Sequence, residues 1–197
     1  MAVYPDAIGE PLEQLKHSGS VAGRAYSGRA VNFDCGGFVE VCIEISEEPG
    51  VITSARFMSN GCGFMVASAE TVCSKLSGAD LAGLKGLETL NNFLADTFGP
   101  LPVARVGCFD AVIESVKEAF RNHRAQVVAE FTGEKALICT CFGMSEETIL
   151  KFIIAEKPAT VQEVSDACRA GSGCGSCRMI IQEMIDASER ERIMTKT

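Results

Sequence analysis

Residues 38–76 read FVEVCIEISEEPGVITSARFMSNGCGFMVASAETVCSKL, and a change of period inside this stretch decides the fold. From 38 to 45 the residues alternate, with Val39, Val41, Ile43 and Ile45 on one side and Glu40, Cys42 and Glu44 on the other. A period of two with one apolar side is the pattern of a half-buried strand. Glu47-Glu48-Pro49-Gly50 supplies turn residues, and VITSARFM returns as a second strand, so residues 32–58 are expected to form a hairpin. A weaker strand is expected near Val21 to Tyr26. After Gly61-Cys62-Gly63 the period changes. Val66, Ala69, Cys73 and Leu76 recur at helical spacing as far as Ser77-Gly78, which places Cys62 at the entrance of a helix.

Further along, residues 87–98 form a second helical stretch closed by Gly99-Pro100. From Cys108 onward, Val112, Ile113, Val116, Ala119 and Phe120 mark a third helix that reaches Arg121-Asn122-His123-Arg124. Strands followed by helices predict an α+β domain over residues 1–126, a sheet covered on one face by helices. Residues 127–136 lack a clear period, carry Gly133 and are expected to be a linker. The segment 137–187 reads as a small all-α domain of short helices between cysteine pairs. Ser145 with Glu146 and Glu147 starts one helix, and Thr160-x-x-Glu163 is a capping box for the next, which is expected to stop at Gly171. Cys174-Gly-Ser-Cys177 opens a third helix with Ile180, Ile181, Met184 and Ile185 on its apolar side, and residues 188–197 are a solvated polar tail.

The chain has 197 residues, 47% hydrophobic and 22% charged, with six Pro and no Trp. That length leaves room for one sizeable core or two small ones and excludes disordered and collagen-like classes. The longest uncharged apolar stretch, around 57–69, is shorter than the roughly 20 residues a membrane span needs. A net charge of -8 gives no general attraction to nucleic acid or anionic lipid. No paired nucleophile and base and no phosphate loop is visible, which points to a carrier rather than an enzyme.

Ten cysteines are the informative feature. The opening MAVYPDAIGE has no basic segment leading into an apolar one, so export is not indicated and a cytoplasmic location is expected. Thiols there stay reduced and serve as metal or redox ligands. Cys35, Cys62 and Cys108 are widely spaced, each beside glycine, where backbone can approach a bulky inorganic ligand. Cys62 and Cys108 are both expected at helix entrances, which stabilise thiolates. Cys139, Cys141, Cys174 and Cys177 form a C-x-C and C-x-x-C pair of pairs whose ligand softness suits zinc or an iron-sulfur cluster equally. The single-residue spacing of the first pair departs from structural zinc and from common ferredoxins. Cys73 and Cys168 are assigned to core and Cys42 to a bystander position. Met58, Met65, Met179 and Met184 are also assigned to core, and His17 and His123 are singletons in polar surroundings with no expected ligand role.

The segments ICTCFGMSEETILKFI and TVQEVSDACRAGSGCGSC resemble the small helical 2Fe-2S domain named for bacterioferritin-associated ferredoxin, also found in the middle of NifU-type proteins. The resemblance covers residues 137–187 and implies one permanent 2Fe-2S cluster on Cys139, Cys141, Cys174 and Cys177, with structural zinc as the alternative. Cys35-Gly36, the strand pair, ARFMSNGCGFMVASAE and LPVARVGC are similar to the IscU-type and NifU-type scaffold on which iron-sulfur clusters are assembled, over residues 4–125. That likeness implies that Cys35, Cys62 and Cys108 hold a transient or semi-stable 2Fe-2S or 4Fe-4S cluster, with zinc as a possible substitute. It also implies a cysteine desulfurase as sulfur donor, a reductant, apo-protein acceptors and a homodimer. The order of domains follows the first two thirds of a NifU-type protein, and the third domain of that type has no counterpart in this sequence.

Two positions depart from the scaffold pattern. Gly37 stands where the family usually has Asp, a residue associated with lability of the bound cluster, and Gly107 stands where it often has His. Asp34, a residue of another subunit or an exogenous thiol then remain as candidates for the fourth ligand. The expectation is a cluster held more persistently than on an Asp-containing scaffold. The leading function is iron-sulfur cluster assembly with a permanent 2Fe-2S cluster as redox partner. The alternatives are an electron-transfer protein with two persistent clusters and a zinc-loaded structural or regulatory protein.

Overall fold

The structure, a computed structural model, describes residues 4–194 except 22, 24, 47–49 and 85–87, with backbone alone at 88 and 89. It divides into two compact units, Met1–Asp80 with Leu87–His123, and Leu81–Gly86 with Arg124–Thr197.

In the first unit, β1 (Tyr26–Asn32), β2 (Gly37–Ile45) and β3 (Ile52–Ser59) form an antiparallel sheet in sequence order. Val41 pairs with Phe57 and Ile43 with Ala55, so the alternation read from β2 puts one apolar side of two strands into a single core. The expected turn at 47–50 lies largely outside the described residues. Two helices, α1 (Asp6–Glu13) and α2 (Gly63–Leu76), pack on each other, and α2 packs on β3. Met65, Ala69, Val72, Cys73 and Leu76 are fully buried, so Cys73 is the core residue expected. Glu70 of α2 is buried too, and its carboxylate accepts hydrogen bonds from the backbone N–H groups of Lys16 and His17 and meets His17 Nδ1 at 2.7 Å. His17 is therefore a structural partner rather than a solvated singleton.

The first strand differs from expectation. It starts at Tyr26, where the sequence suggested that a strand would end, because YSGRAVN lacks the alternation that marks β2. Gly28 explains the irregular composition: a Cβ there would collide with the backbone of Ser115 and Ala119 on α4 (Val103–Glu130). Asn122 Nδ2 donates to the Ser27 carbonyl at 2.7 Å, and the His123 ring meets Tyr26 edge-on at 4.8 Å. His123 is thus buried, not in polar surroundings. Met58 is exposed because it pairs with Glu40 on the polar side of the sheet.

Helix α3 (Glu88–Phe98) is closed by Gly99 at φ +65°, as the Gly-Pro sequence predicts; Leu87, the expected first residue, lies outside the described residues. Helix α4 is longer than expected at both ends. It begins at Val103, behind Pro102, so Cys108 lies inside the helix and not at its entrance. It also continues through 127–130, so only 131–136 of the expected linker lacks regular structure. The price of Gly107 inside a helix, about 1 kcal/mol against Ala, is outweighed by burial of Cys108, Phe109, Val112, Ile113 and Val116.

The second unit holds a two-stranded pair, β4 (Leu137–Cys139) with β5 (Met144–Ser145), and three helices, α5 (Glu146–Glu156), α6 (Val161–Cys168) and α7 (Arg178–Met194). Ser145 caps α5 by accepting from the Thr148 N–H, and Thr160 caps α6 by accepting from Glu163 N–H. The Glu163 carboxylate reaches back to the Ala159 N–H and the Thr160 hydroxyl, so the predicted capping signal forms with a one-residue shift. Helix α6 stops at Cys168, three residues before Gly171, because Arg169 takes the left-handed conformation at φ 65°. Ile149, Ile153, Val164, Ile181 and Ile185 form the core, and Cys168 packs half-buried against it. Ile180 and Met179 point away and are exposed, contrary to their assignment as core. Of the expected polar tail, residues 188–194 face solvent but are helical, and 195–197 lie outside the described residues. Among the described residues no helix is long and apolar enough to cross a membrane.

Candidate metal centres

Three elements deliver the first cysteine set. Cys35 lies on the β1–β2 turn, where Gly36 takes φ +68° and donates its N–H to the Asn32 carbonyl at 2.8 Å. Cys62 precedes α2 and Cys108 lies within α4. The sulfurs of Cys62 and Cys108 meet at 3.6 Å. Cys35 is exposed and contributes least among the neighbours that raise the Cys108 thiol.

The two touching thiols differ in acidity. Burial raises Cys62, but the backbone N–H groups of Met65 and Phe64 in the first turn of α2, the Cys108 thiol and the Arg105 guanidinium together bring it below the usual thiol value. Cys108 is pushed up to about 11, chiefly by burial, with Asn32 opposing and Cys62 adding to the rise. A thiolate at Cys62 next to a protonated Cys108 is the state this geometry favours. Cys73, buried in α2, is raised far out of the reactive range by desolvation, and Cys42 is raised by partial burial and Glu40.

Two residues of this site are not among those the sequence motifs single out. Arg105 Nη1 stands 3.9 Å from Cys62 Sγ while its guanidinium lies over the Phe64 ring. Asn32 Nδ2 stands 3.4 Å from Cys108 Sγ. A single cation one helical turn before Cys108 is the only hint the sequence gives of the first, and the second comes from a different strand. The two altered family positions are closely surrounded. A Cβ on Gly37 would lie 3.1 Å from Gly61 Cα, 3.4 Å from Cys35 Sγ and 3.5 Å from Met65 Cε, and one on Gly107 would lie 3.2 Å from Asn32.

The second set closes on itself. Cys139 contacts Cys141 and Cys177, and Cys141 contacts Cys174, so the four sulfurs form a continuous chain of neighbours. Those contacts lower Cys139 and raise Cys141 and Cys177, while Cys174 falls to about 5, first through its contact with Cys141 and then through Ser176. Cys139 and Cys177 are buried in the core of the unit, and Cys174 is exposed. The cavity that the four cysteines line holds only about 20 Å³. Among the described residues no group of three or more His, Cys, Asp or Glu has the compact arrangement of a single-ion site.

The donor set fits a 2Fe-2S cluster: four thiols with neither carboxylate nor imidazole among the lining residues. Glycines supply the approach. A Cβ on Gly173 would stand 3.0 Å from Cys141 Cβ and 3.2 Å from its sulfur, and Gly171 and Gly175 take φ +84° and +79°.

The first unit is a sheet covered by helices that carries Cys35, Cys62 and Cys108 on a turn and two helices, and the second is a small helical unit in which Cys139, Cys141, Cys174 and Cys177 line one cavity. Residues 3–130 match the family described as NifU-like N terminal domain, and residues 137–187 match BFD-like 2Fe-2S binding domain. The chain belongs to the NifU-like N-terminal family and carries the BFD-like domain after it. The nitrogen fixation protein NifU of Trichormus azollae is 28% identical over 183 residues, 92% of this chain and 60% of that protein. NifU of Azotobacter chroococcum is 28% identical over 182 residues, 92% of this chain and 58% of that protein. The iron-sulfur cluster assembly protein IscU of Plasmodium falciparum is 26% identical over 131 residues, 64% of this chain and 76% of that protein. The N-terminal part of a NifU-like protein from Brucella abortus superposes with a TM-score of 0.49 at 19% identity, covering 61% of this chain and 93% of that one. The chain spans about 60% of the length of the NifU relatives it matches.

Proposed function

We propose that this protein is a scaffold for iron-sulfur cluster assembly, with residues 1–126 as the assembly domain and 137–187 as a redox domain. Cys35, Cys62 and Cys108 take up iron and sulfur as cargo and release a 2Fe-2S or 4Fe-4S unit to apo-proteins. Cys139, Cys141, Cys174 and Cys177 hold a resident 2Fe-2S cluster. The observation that supports this division of labour is the contact of Cys62 with Cys108 at 3.6 Å, one thiol lowered at a helix N-terminus and the other raised by burial.

Sulfur transfer follows from that asymmetry. The Cys62 thiolate attacks the terminal sulfur of a persulfide on a cysteine desulfurase; the donor's S–S bond breaks, a new S–S bond forms on Cys62, and the donor leaves as thiolate. Two electrons and iron then convert the sulfane sulfur to bound sulfide and return Cys62 as a thiolate ligand. The resident cluster, when bound, supplies one-electron redox chemistry, and the electrons come ultimately from an external reductant. The proposal includes a homodimer in the cytoplasm, with neither nucleic acid nor membrane as partner and with zinc able to substitute at the first site.

A second reading, electron transfer with both clusters persistent, is favoured by one observation: position 37 itself supplies no carboxylate to the Cys35 turn, and a Cβ there would lie 3.1 Å from Gly61 Cα. Anaerobic purification of wild type and Cys139→Ser, with visible absorption and analysis of iron, zinc and acid-labile sulfide, separates the readings when followed by incubation with an apo-acceptor. The scaffold transfers one cluster and keeps the other. Retention of both supports electron transfer, and a colourless zinc-loaded chain overturns both readings. An assembly rate unchanged by Cys139→Ser, with desulfurase and external reductant constant, removes the redox role of the second site.

A further inference from the structure

Asn32 ends β1 and is only 6% exposed, yet it is a polar residue that the assembly chemistry above does not use. Its carboxamide spans two elements. Oδ1 accepts the Asp34 N–H at 3.0 Å, and Nδ2 faces the Cys108 sulfur at 3.4 Å. The orientation follows from chemistry: a backbone N–H can only donate, so the amide oxygen must face Asp34 and the amide nitrogen is left for the sulfur. Asn32 also accepts through its backbone carbonyl from Gly36 N–H, which fixes the turn that carries Cys35. One residue thereby links two of the three cysteines.

The room for this side chain exists because position 107 is glycine. A Cβ on Gly107 would stand 3.2 Å from both Oδ1 and Nδ2 of Asn32 and 3.3 Å from its Cγ, tighter than ordinary packing. Asn32 and Gly107 therefore act as a pair. The carboxamide N–H at 3.4 Å is placed to donate to the Cys108 sulfur when that sulfur acts as a ligand. Donors on ligand sulfur orient the ligand and raise the stability of its metal complex.

We propose that Asn32 is a positioning residue of the three-cysteine site, holding the Cys108 thiolate through a side chain that occupies the space left by Gly107, and that it prolongs retention of the bound iron-sulfur cargo. This rests on the reading of Cys35, Cys62 and Cys108 as the cargo site. The test uses the full chain reconstituted anaerobically with ferrous iron and sulfide and then chased with a ferrous chelator, the labile phase being the one lost in Cys35→Ala. Asn32→Ala is expected to speed that phase by about 10-fold. Gly107→Ala, which keeps Asn32 but displaces it, is expected to do the same, and the double variant to be no faster than the faster single one. The reduction potential of the labile cluster is expected to fall in both single variants, which a merely structural role would not produce, while the slow phase and helix content stay unchanged. A labile phase and potential unaffected by Asn32→Ala, or single effects that multiply in the double variant, overturn the proposal. If wild type shows no labile phase, the cargo reading fails, and zinc affinity of the first site decides for Asn32: a loss of about 10-fold in Asn32→Ala supports its role, and no change overturns it.

Discussion

The sulfurs of Cys62 and Cys108 lie 3.6 Å apart although 46 positions separate the residues in sequence. Each thiol sets the acidity of the other, and the helix N-terminus decides which of them ionises first.

Alkylation of the apo chain should show that order. Cys62, lowered, reaches half-maximal reactivity below the ordinary thiol value of 9.0, whereas Cys108, raised to about 11, stays protonated at neutral pH. Iodoacetamide labelling followed by peptide mass spectrometry across pH 6–10 is expected to modify Cys62 well before Cys108. Cys62→Ser removes one of the contacts that raise Cys108, so the Cys108 profile should move to lower pH in that variant.

Gly37→Asp restores the residue usual in the family at a position where a Cβ would meet Gly61 Cα at 3.1 Å. The added bulk is expected to cost about 1–3 kcal/mol in denaturant unfolding of the first unit. If the persistent-cluster reading holds, the same variant should lose its labile cluster to a chelator faster than wild type, and an equal half-life counts against that reading.

The four cysteines of the second site should not be equivalent. Cys139 contacts two of its partners from inside the core, and Cys174 is exposed at the end of the chain of sulfurs. Cys139→Ser is expected to abolish the visible spectrum of the resident cluster and lower the melting temperature of the second unit. Cys174→Ser should keep the fold, with iron and acid-labile sulfide content measuring what remains bound.

The N-caps of α5 and α6 were legible from Ser145 and Thr160, since an N-cap depends on neighbours three residues away. Thr160→Ala removes the acceptor for the Glu163 N–H and is expected to cost about 1 kcal/mol in thermal or denaturant unfolding.

Gly28→Val tests the contact that the sequence concealed. The new side chain would press on the backbone of Ser115 and Ala119, which cannot rotate away, so destabilisation of about 3 kcal/mol is expected by urea unfolding.

The sequence by itself determined the features whose causes are local. Alternation over β2, helical spacing after Cys62 and the N-caps of α5 and α6 all depend on residues within a few positions of one another. Tertiary structure decided the rest. It placed β1 at YSGRAVN, where the need for a glycine under α4 overrides strand composition, and it carried α4 back past Gly107 because burial of Cys108 and its neighbours outweighs the glycine penalty. It also brought Asn32 and Arg105 to the sulfurs of Cys108 and Cys62. Those meetings depend on how a strand, a turn and two helices pack around one core, and no periodicity in a single segment records them.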